Sequence, residues 1–273
     1  MKTQPLLRLA SLLALLLVLQ SSASAQAAPY RLANISYGAS GQLLDLWVPT
    51  IAHKRTVLLF IHGGGFKEGN KEQMQGYSKL YAQGGFVSAT MNYRLTSQGH
   101  RFPAALNDVR EALAWLQANA TTYGYDARKI IVIGYSAGGN LALMAGFDVP
   151  SQVAAIVSAA GPTDLRSLVA TSTMPQVAID IANYLGNASP ESASPYHFAR
   201  AGAPPTLFLH GNLDTFVPIT QSLVLAIKLQ QLQVPMLFKV APNIGHEILL
   251  PNAELKNTLD TLTAFLLAVE QLP

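Results

Sequence analysis

Three residues of this chain have the types and the order needed to activate a hydroxyl: Ser136, Asp214 and His246. A serine hydroxyl is a poor nucleophile until a base takes its proton, and the base needs a third group to orient it. Ser136 lies in Gly134-Tyr135-Ser136-Ala137-Gly138, between the apolar run Lys129–Ile133 and the helix-like stretch Asn140–Ala145. Strand, Gly-x-Ser-x-Gly, helix is the context of a nucleophile elbow, a sharp turn that holds the serine out of a sheet where a base can reach it. Taken alone, the five residues read equally as a plain turn, so the rest of the chain decides. Asp214, in His210-Gly211-Asn212-Leu213-Asp214, and His246, in Asn243-Ile244-Gly245-His246-Glu247, each follow a strand-like run. That places both on loops at the sheet edge that carries Ser136, the edge where open α/β sheets hold their sites.

Attack of Ser136 on a carbonyl would build negative charge on the carbonyl oxygen, which needs preorganised donors. His62-Gly63-Gly64-Gly65 follows another apolar run, and backbone without side chains can bring N–H groups close to a substrate. Gly64, Gly65 and Ala137, the residue after the nucleophile, are the expected oxyanion-hole donors. The glycine run reads otherwise as a structural turn or a phosphate cradle. A P-loop ends in Lys and Ser/Thr, whereas this run continues Phe66-Lys67-Glu68.

The elements that must position these groups alternate along the chain. Strands are predicted at Leu43–Val48, Thr56–Ile61, Phe86–Met91, Lys129–Ile133, Val153–Ala160, Thr206–His210 and Pro235–Val240. Leu106, Val109, Leu113 and Leu116 repeat at helical spacing after Pro103, and Leu255, Leu259, Leu262, Leu266 and Val269 do so near the end. A further helix is expected over Phe216–Gln233. The alternation predicts an α/β fold with a mostly parallel sheet covered on both faces. Residues 163–203 form a long connection with a helix expected near Gln176–Leu185, and read as a small cap over the site.

Composition bounds the classes. Lys2 and Arg8, the uncharged leucine-rich run Leu9–Leu19 and Ala23-Ser24-Ala25 read as a secretory leader over residues 1–25, which leaves an α/β domain at 26–273 that is expected to be secreted or periplasmic. An eleven-residue helix reaches only about 16 Å, against roughly 30 Å of bilayer core. No later run is long enough to span, so the mature chain is expected to hold no integral membrane segment. Without Lys2 and Arg8, sixteen Lys and Arg face fifteen Asp and Glu, a balance that gives no support to a nucleic-acid partner. The chain has no cysteine, which excludes disulfides and thiol catalysis.

Other polar residues take plainer readings. Asp108 is expected to give structural support, Asp164 is a competing acid that the strand order disfavours, and His210 reads as a hydrogen-bonded structural histidine. His246-Glu247-Ile248-Leu249-Leu250 lacks the second histidine of a zinc site, so no metal is expected. A dinucleotide fingerprint would need glycine where Ser136 stands.

Together these segments resemble an α/β-hydrolase of the esterase/lipase group that carries a His-Gly-Gly-Gly motif. The resemblance runs over nearly all of residues 30–270. It rests on His62–Phe66 with Gly69 and Lys71, on Asn92-Tyr93-Arg94-Leu95, and on Phe102-Pro103-Ala104 with Asn107 and Asp108. Gly134–Gly139 and His210–Pro218 complete it. Hormone-sensitive-lipase-like members carry an acid where Tyr135 stands. Asp214-Thr215-Phe216-Val217-Pro218 is more similar to the prolyl-oligopeptidase-like branch and to feruloyl- and acetylxylan-type esterases. The resemblance implies a cofactor-free serine hydrolase acting on small-molecule or carbohydrate-linked esters through an acyl-enzyme. Phe66, Tyr135 and the cap are then expected to line the pocket. The same triad would serve an arylformamidase or a peptidase, and a non-catalytic binding protein on this fold is the alternative of another class. Oligomeric state is not legible.

Overall fold

The computed structural model describes residues 28–50, 54–148 and 152–272; the leader-like residues 1–25 lie outside them. Eight strands form one sheet: β1 (Tyr30–Ser36), β2 (Leu43–Val48), β3 (Val57–Ile61), β4 (Val87–Met91), β5 (Ile130–Tyr135), β6 (Ala155–Ala159), β7 (Thr206–Gly211) and β8 (Met236–Ala241). Their spatial order is β1-β2-β4-β3-β5-β6-β7-β8, with β1 and β2 antiparallel to their neighbours and the other pairings parallel. The fold is that of an α/β-hydrolase.

The central strands read as unbroken apolar runs because both faces are covered. In β3 all five residues are buried. Val57, Leu59 and Ile61 join one core, with α2 (Ala104–Tyr123) and α3 (Ala137–Asp148). Leu58 and Phe60 point the other way, into a second core shared with α1 (Gln75–Gln83) and α8 (Leu255–Glu270). The strand's period of two thus assigns alternate residues to opposite helical layers. Helix α2 buries Leu106, Val109, Leu113 and Leu116, the four positions expected from its spacing.

Between β6 and β7 the chain makes α4 (Leu165–Thr171), α5 (Pro175–Leu185), a 3-10 turn at Pro190–Ala193 and α6 (Pro195–Phe198). The elbow helix anchors this segment: Asn140 Nδ2 donates to the carbonyls of Pro162 and Ala193, both at 3.1 Å. Helix α7 (Thr220–Gln231) holds its start, since the Gln221 side-chain oxygen accepts from the Thr163 and Asp164 amides.

Helices α4 and α6 were not expected within their connection, and three further elements differ from the sequence reading, each for a physical reason. Strand β1 was not expected, because none of its residues is buried and its pattern carries no apolar period. Pairing with β2 and hydrogen bonds from Arg31 and the Asn34 amide to the buried Asp45 carboxylate hold it instead. Helix α1 buries only Ser78, Tyr81 and Ala82, too few apolar positions to register as a helical period. Helix α7 starts at Thr220 rather than Phe216, since the Phe216 and Val217 amides are turned onto Asp214.

Candidate active site

Strand β5 ends at Tyr135, helix α3 begins at Ala137, and Ser136 alone makes the turn between them. Its φ is +54°, a left-handed conformation that non-glycine residues hold only when their surroundings impose it. The surroundings here are specific. The Ser136 amide donates to the Ala159 carbonyl at 2.8 Å, at the end of β6. A Cβ on Gly138 would run into the carbonyls of Ile61 and His62, so only glycine lets the elbow lie this close to β3.

The elbow aims Ser136 Oγ at His246 Nε2, 2.8 Å away. His246 Nδ1 lies 2.7 Å from Asp214 Oδ2. A carboxylate only accepts, so Nδ1 carries the proton and Nε2 is left free to accept the serine hydroxyl. The Asp214 side chain is fully buried. Its Oδ1 accepts from the Phe216 amide at 3.0 Å and the Val217 amide at 2.9 Å. Burial alone would push its carboxyl up; hydrogen bonds from His210 and His246, with the Val217 amide, outweigh it and bring the pKa down to about 2. Asp214 is therefore an anion at every pH where His246 could act as a base.

His210 is a support for that anion. Its Nε2 lies 2.8 Å from the Val217 carbonyl and must carry a proton; the same N–H faces Asp214 Oδ2 at 3.3 Å. Nδ1 then accepts from the Ser222 hydroxyl at 2.8 Å. Asp164 stands apart from the relay, where its Oδ1 caps α4 by accepting from the Arg166 and Ser167 amides. Asp108 is buried and accepts from the amide and guanidinium of Arg94, a structural role.

The glycine run passes close to Ser136: a Cβ on Gly63 would stand 3.1 Å from Ser136 Cβ. Gly64 has φ +108°, and its carbonyl accepts from the amides of Lys67 and Glu68 at 3.0 Å. The N–H groups of Gly64, Gly65 and Ala137 donate to no acceptor among the described residues. The loop after β4 props this run. The buried Tyr93 hydroxyl shares its proton between the carbonyls of His62 (3.1 Å) and Gly63 (3.3 Å). Its ring stacks on His62 at 4.2 Å. The Thr96 amide and the Ser97 hydroxyl hold the carbonyls of Phe66 and Lys67. Burial pushes the His62 imidazole down to about 4, so it sits neutral in this frame.

Of the two expected pocket residues, Phe66 is closed off and Tyr135 stands beside the base. Phe66 is only 2% exposed and lies flat on Tyr184 of α5, centroids 3.7 Å apart; it fastens α5 to the glycine run and is no open wall. Tyr135 is half-buried, and its hydroxyl donates to the His246 carbonyl at 3.0 Å, so it secures the base's loop. Sequence reasoning missed the supporting roles of Tyr93 and Asn140, and it did not reveal that His210 backs Asp214. Only the run Asn92–Leu95 carried a signal for one of them, through the family resemblance.

Among the described residues no helix is long and apolar enough to cross a membrane. The BD-FAE family model matches residues 44–229. Esterase LipC of Mycobacterium tuberculosis is 30% identical over 266 residues, covering 85% of this chain and 64% of LipC. The probable carboxylic ester hydrolase LipM of the same organism is 31% identical, covering 86% of this chain and 61% of LipM. The chain thus spans less than two thirds of the length of these relatives. Among solved structures, a truncated carbohydrate esterase from gut microbiota superposes with a TM-score of 0.77 at 21% identity, covering 91% of this chain and 99% of that one. Thermogutta terrifontis esterase 2 phosphonylated by sarin also reaches 0.77, at 22% identity, covering 91% of this chain and 98% of its own. The matched residues run from β2 through the glycine run, the elbow and Asp214 into α7, and the chain belongs to the BD-FAE family of α/β-hydrolase esterases.

Proposed function

We propose that this chain is a serine carboxylic ester hydrolase that works through an acyl-enzyme at Ser136. The observation that carries the reading is the unbroken relay from Ser136 Oγ through His246 to Asp214, with hydrogen bonds of 2.8 and 2.7 Å. Ser136 Oγ attacks the ester carbonyl while His246 Nε2 takes its proton. The carbonyl oxygen becomes an oxyanion held by the amides of Gly64, Gly65 and Ala137. His246 returns the proton to the leaving alkoxide, the C–O bond breaks, and Ser136 is left acylated. Water then gives a proton to Nε2 and attacks the acyl carbon; as the bond from that carbon to Ser136 Oγ breaks, Nε2 returns the proton to Oγ and the acid is released. Asp214 stays ionised throughout, orienting the imidazole and stabilising its charged form. Every group needed is a side chain or amide of this chain. The esterase names of the relatives support an ester over an amide substrate.

Ser136→Ala should lower kcat by roughly 10⁴–10⁶ with the fold intact by circular dichroism. A fluorophosphonate probe should label the wild-type chain at Ser136 and leave the variant unlabelled. Labelling at another residue, or a folded variant with most of its activity, would refute the mechanism. Export belongs to the same proposal: the chain recovered outside the cytoplasm should begin at Gln26, as N-terminal sequencing would read.

A further inference from the structure

The cap helix α5 brings a carboxylate to the oxyanion loop, and the reaction as derived gives it no part. Tyr184 of this helix lies on Phe66. One turn earlier on the same face, Asp180 lies over Gly65. A Cβ built on Gly65 would stand 3.2 Å from Asp180 Oδ2. One carbon–carbon bond of about 1.5 Å separates that point from the Cα, so the oxygen is within about 5 Å of Gly65 Cα. The side chain is 19% exposed. Its Oδ1 is occupied, by Gln176 Nε2 at 2.8 Å and by the exposed Lys67 ammonium at 4.0 Å. Oδ2, the oxygen on the Gly65 side, accepts from no described residue.

A negative charge beside an oxyanion hole opposes the charge that the hole must stabilise, so its position calls for another use. The geometry points to Asp180 as a specificity-determining residue. Its free Oδ2 accepts a hydrogen bond from a hydroxyl of the bound ester, and its charge turns away esters whose acyl group is itself anionic. Asp180 thereby favours esters with an uncharged acyl group over acidic ones, and among these the esters that carry a hydroxyl within reach of Oδ2. Lys67 reduces the repulsion only in part, since its ammonium faces solvent on the Oδ1 side. The inference rests on the ester-hydrolase reading above.

Two variants separate charge from hydrogen bonding. Asp180→Asn removes the charge but keeps a hydrogen-bonding group toward Gly65: its amide oxygen stays on Gln176 Nε2 and its NH₂ takes the Oδ2 position, where it can donate to a substrate hydroxyl oxygen, whereas Asp180→Ala removes both. Values of kcat/KM would be measured for p-nitrophenyl acetate, mono-p-nitrophenyl succinate and a mono-acetylated methyl xyloside. In both variants the succinate-to-acetate ratio should rise about tenfold. The xyloside-to-acetate ratio should fall about tenfold in Asp180→Ala and hold within about threefold in Asp180→Asn. Using ratios cancels any effect of the charge on the oxyanion itself, which is common to all three esters. A succinate ratio within twofold of wild type in both variants overturns the inference, and so does a xyloside ratio that Asp180→Ala leaves unchanged. Wild-type protein that turns over none of the esters defeats the ester reading, and this inference with it; wild-type turnover with flat ratios defeats this inference alone.

Discussion

At the scale of single residues, the site depends on which nitrogen of His246 carries the proton. Asp214 decides it by presenting Oδ2 to Nδ1 while the Phe216 and Val217 amides hold Oδ1. In Asp214→Asn the amide oxygen stays on those two amides, and the new NH₂ faces His246. The imidazole must then accept at Nδ1 and protonate at Nε2, which leaves it unable to take the serine proton. The expected loss is about 10⁴ in kcat with little change in fold, read by steady-state kinetics and circular dichroism. The same residue sets an acid limit. Its folded pKa of about 2 lies below the value of about 3.9 for an unfolded aspartate, so its ionised form favours the folded state. That contribution, on the order of 2 kcal/mol, is complete above about pH 4 and is lost as pH falls toward 2. Urea unfolding from pH 6 down to pH 2.5 should show this decline in the wild type and a shallower one in Asp214→Asn. Ser136, Asp214 and His246 were all legible in the sequence, because each chemistry demands its residue type. Tyr135 was visible as an aromatic residue beside the nucleophile, but not that the fold turns its hydroxyl onto the His246 carbonyl.

At the scale of elements, the proposed chemistry depends on loops that contribute no reacting group. The glycine run has few side chains to fix itself, so the loop after β4 does it from outside, through Tyr93, Thr96 and Ser97. Tyr93→Phe keeps the ring stacked on His62 and removes only the proton shared by the His62 and Gly63 carbonyls. Stability should fall by about 1 kcal/mol, the worth of one hydrogen bond. The oxyanion amides would be less well held, and kcat should drop about tenfold with KM within twofold, short of the ~10²–10³ for losing a donor outright. A KM rise with unchanged kcat would instead assign Tyr93 to substrate binding. The rate of inactivation by a fluorophosphonate should follow kcat, since that reagent needs the same amides. Such props were hidden in the sequence for a general reason. Strands and amphipathic helices advertise themselves by period, as Val57–Ile61 and Leu106–Leu116 do. A tyrosine that reaches back about thirty residues to a carbonyl leaves no period. The cap shows the same limit: a helix near Gln176–Leu185 could be read, but not that Asp180 and Tyr184 would face the glycine run.

At the scale of the whole molecule, the sheet separates chemistry from closure. The elbow, the glycine run, Asp214 and His246 all lie past the carboxyl ends of the parallel strands, where the sequence order of strand and loop already placed them. The opposite edge holds the last helix. There the Glu270 carboxylate, at the end of α8, accepts from the Arg55 amide at 3.0 Å and from the buried Thr56 hydroxyl just before β3. Lys129, just before β5, donates to the carbonyls of Glu270 and Leu272. These bonds tie the end of the chain to its two central strands, across more than 200 residues in the case of Thr56. They were not foreseen, because a lone glutamate at a helix end reads as solvated. Glu270→Ala strands the Thr56 hydroxyl in the core and leaves Leu262, Leu266 and Val269 to hold α8 against the sheet. The cost should be about 1–3 kcal/mol, or roughly 2–4 °C in Tm for each kcal/mol in a domain of this size. Because the change lies at the edge away from Ser136, kcat/KM on p-nitrophenyl acetate at 25 °C should stay within twofold of wild type. A variant that kept its Tm would show that packing alone secures α8. One that lost activity at 25 °C while still folded would show that the two edges are coupled through β3 and β5.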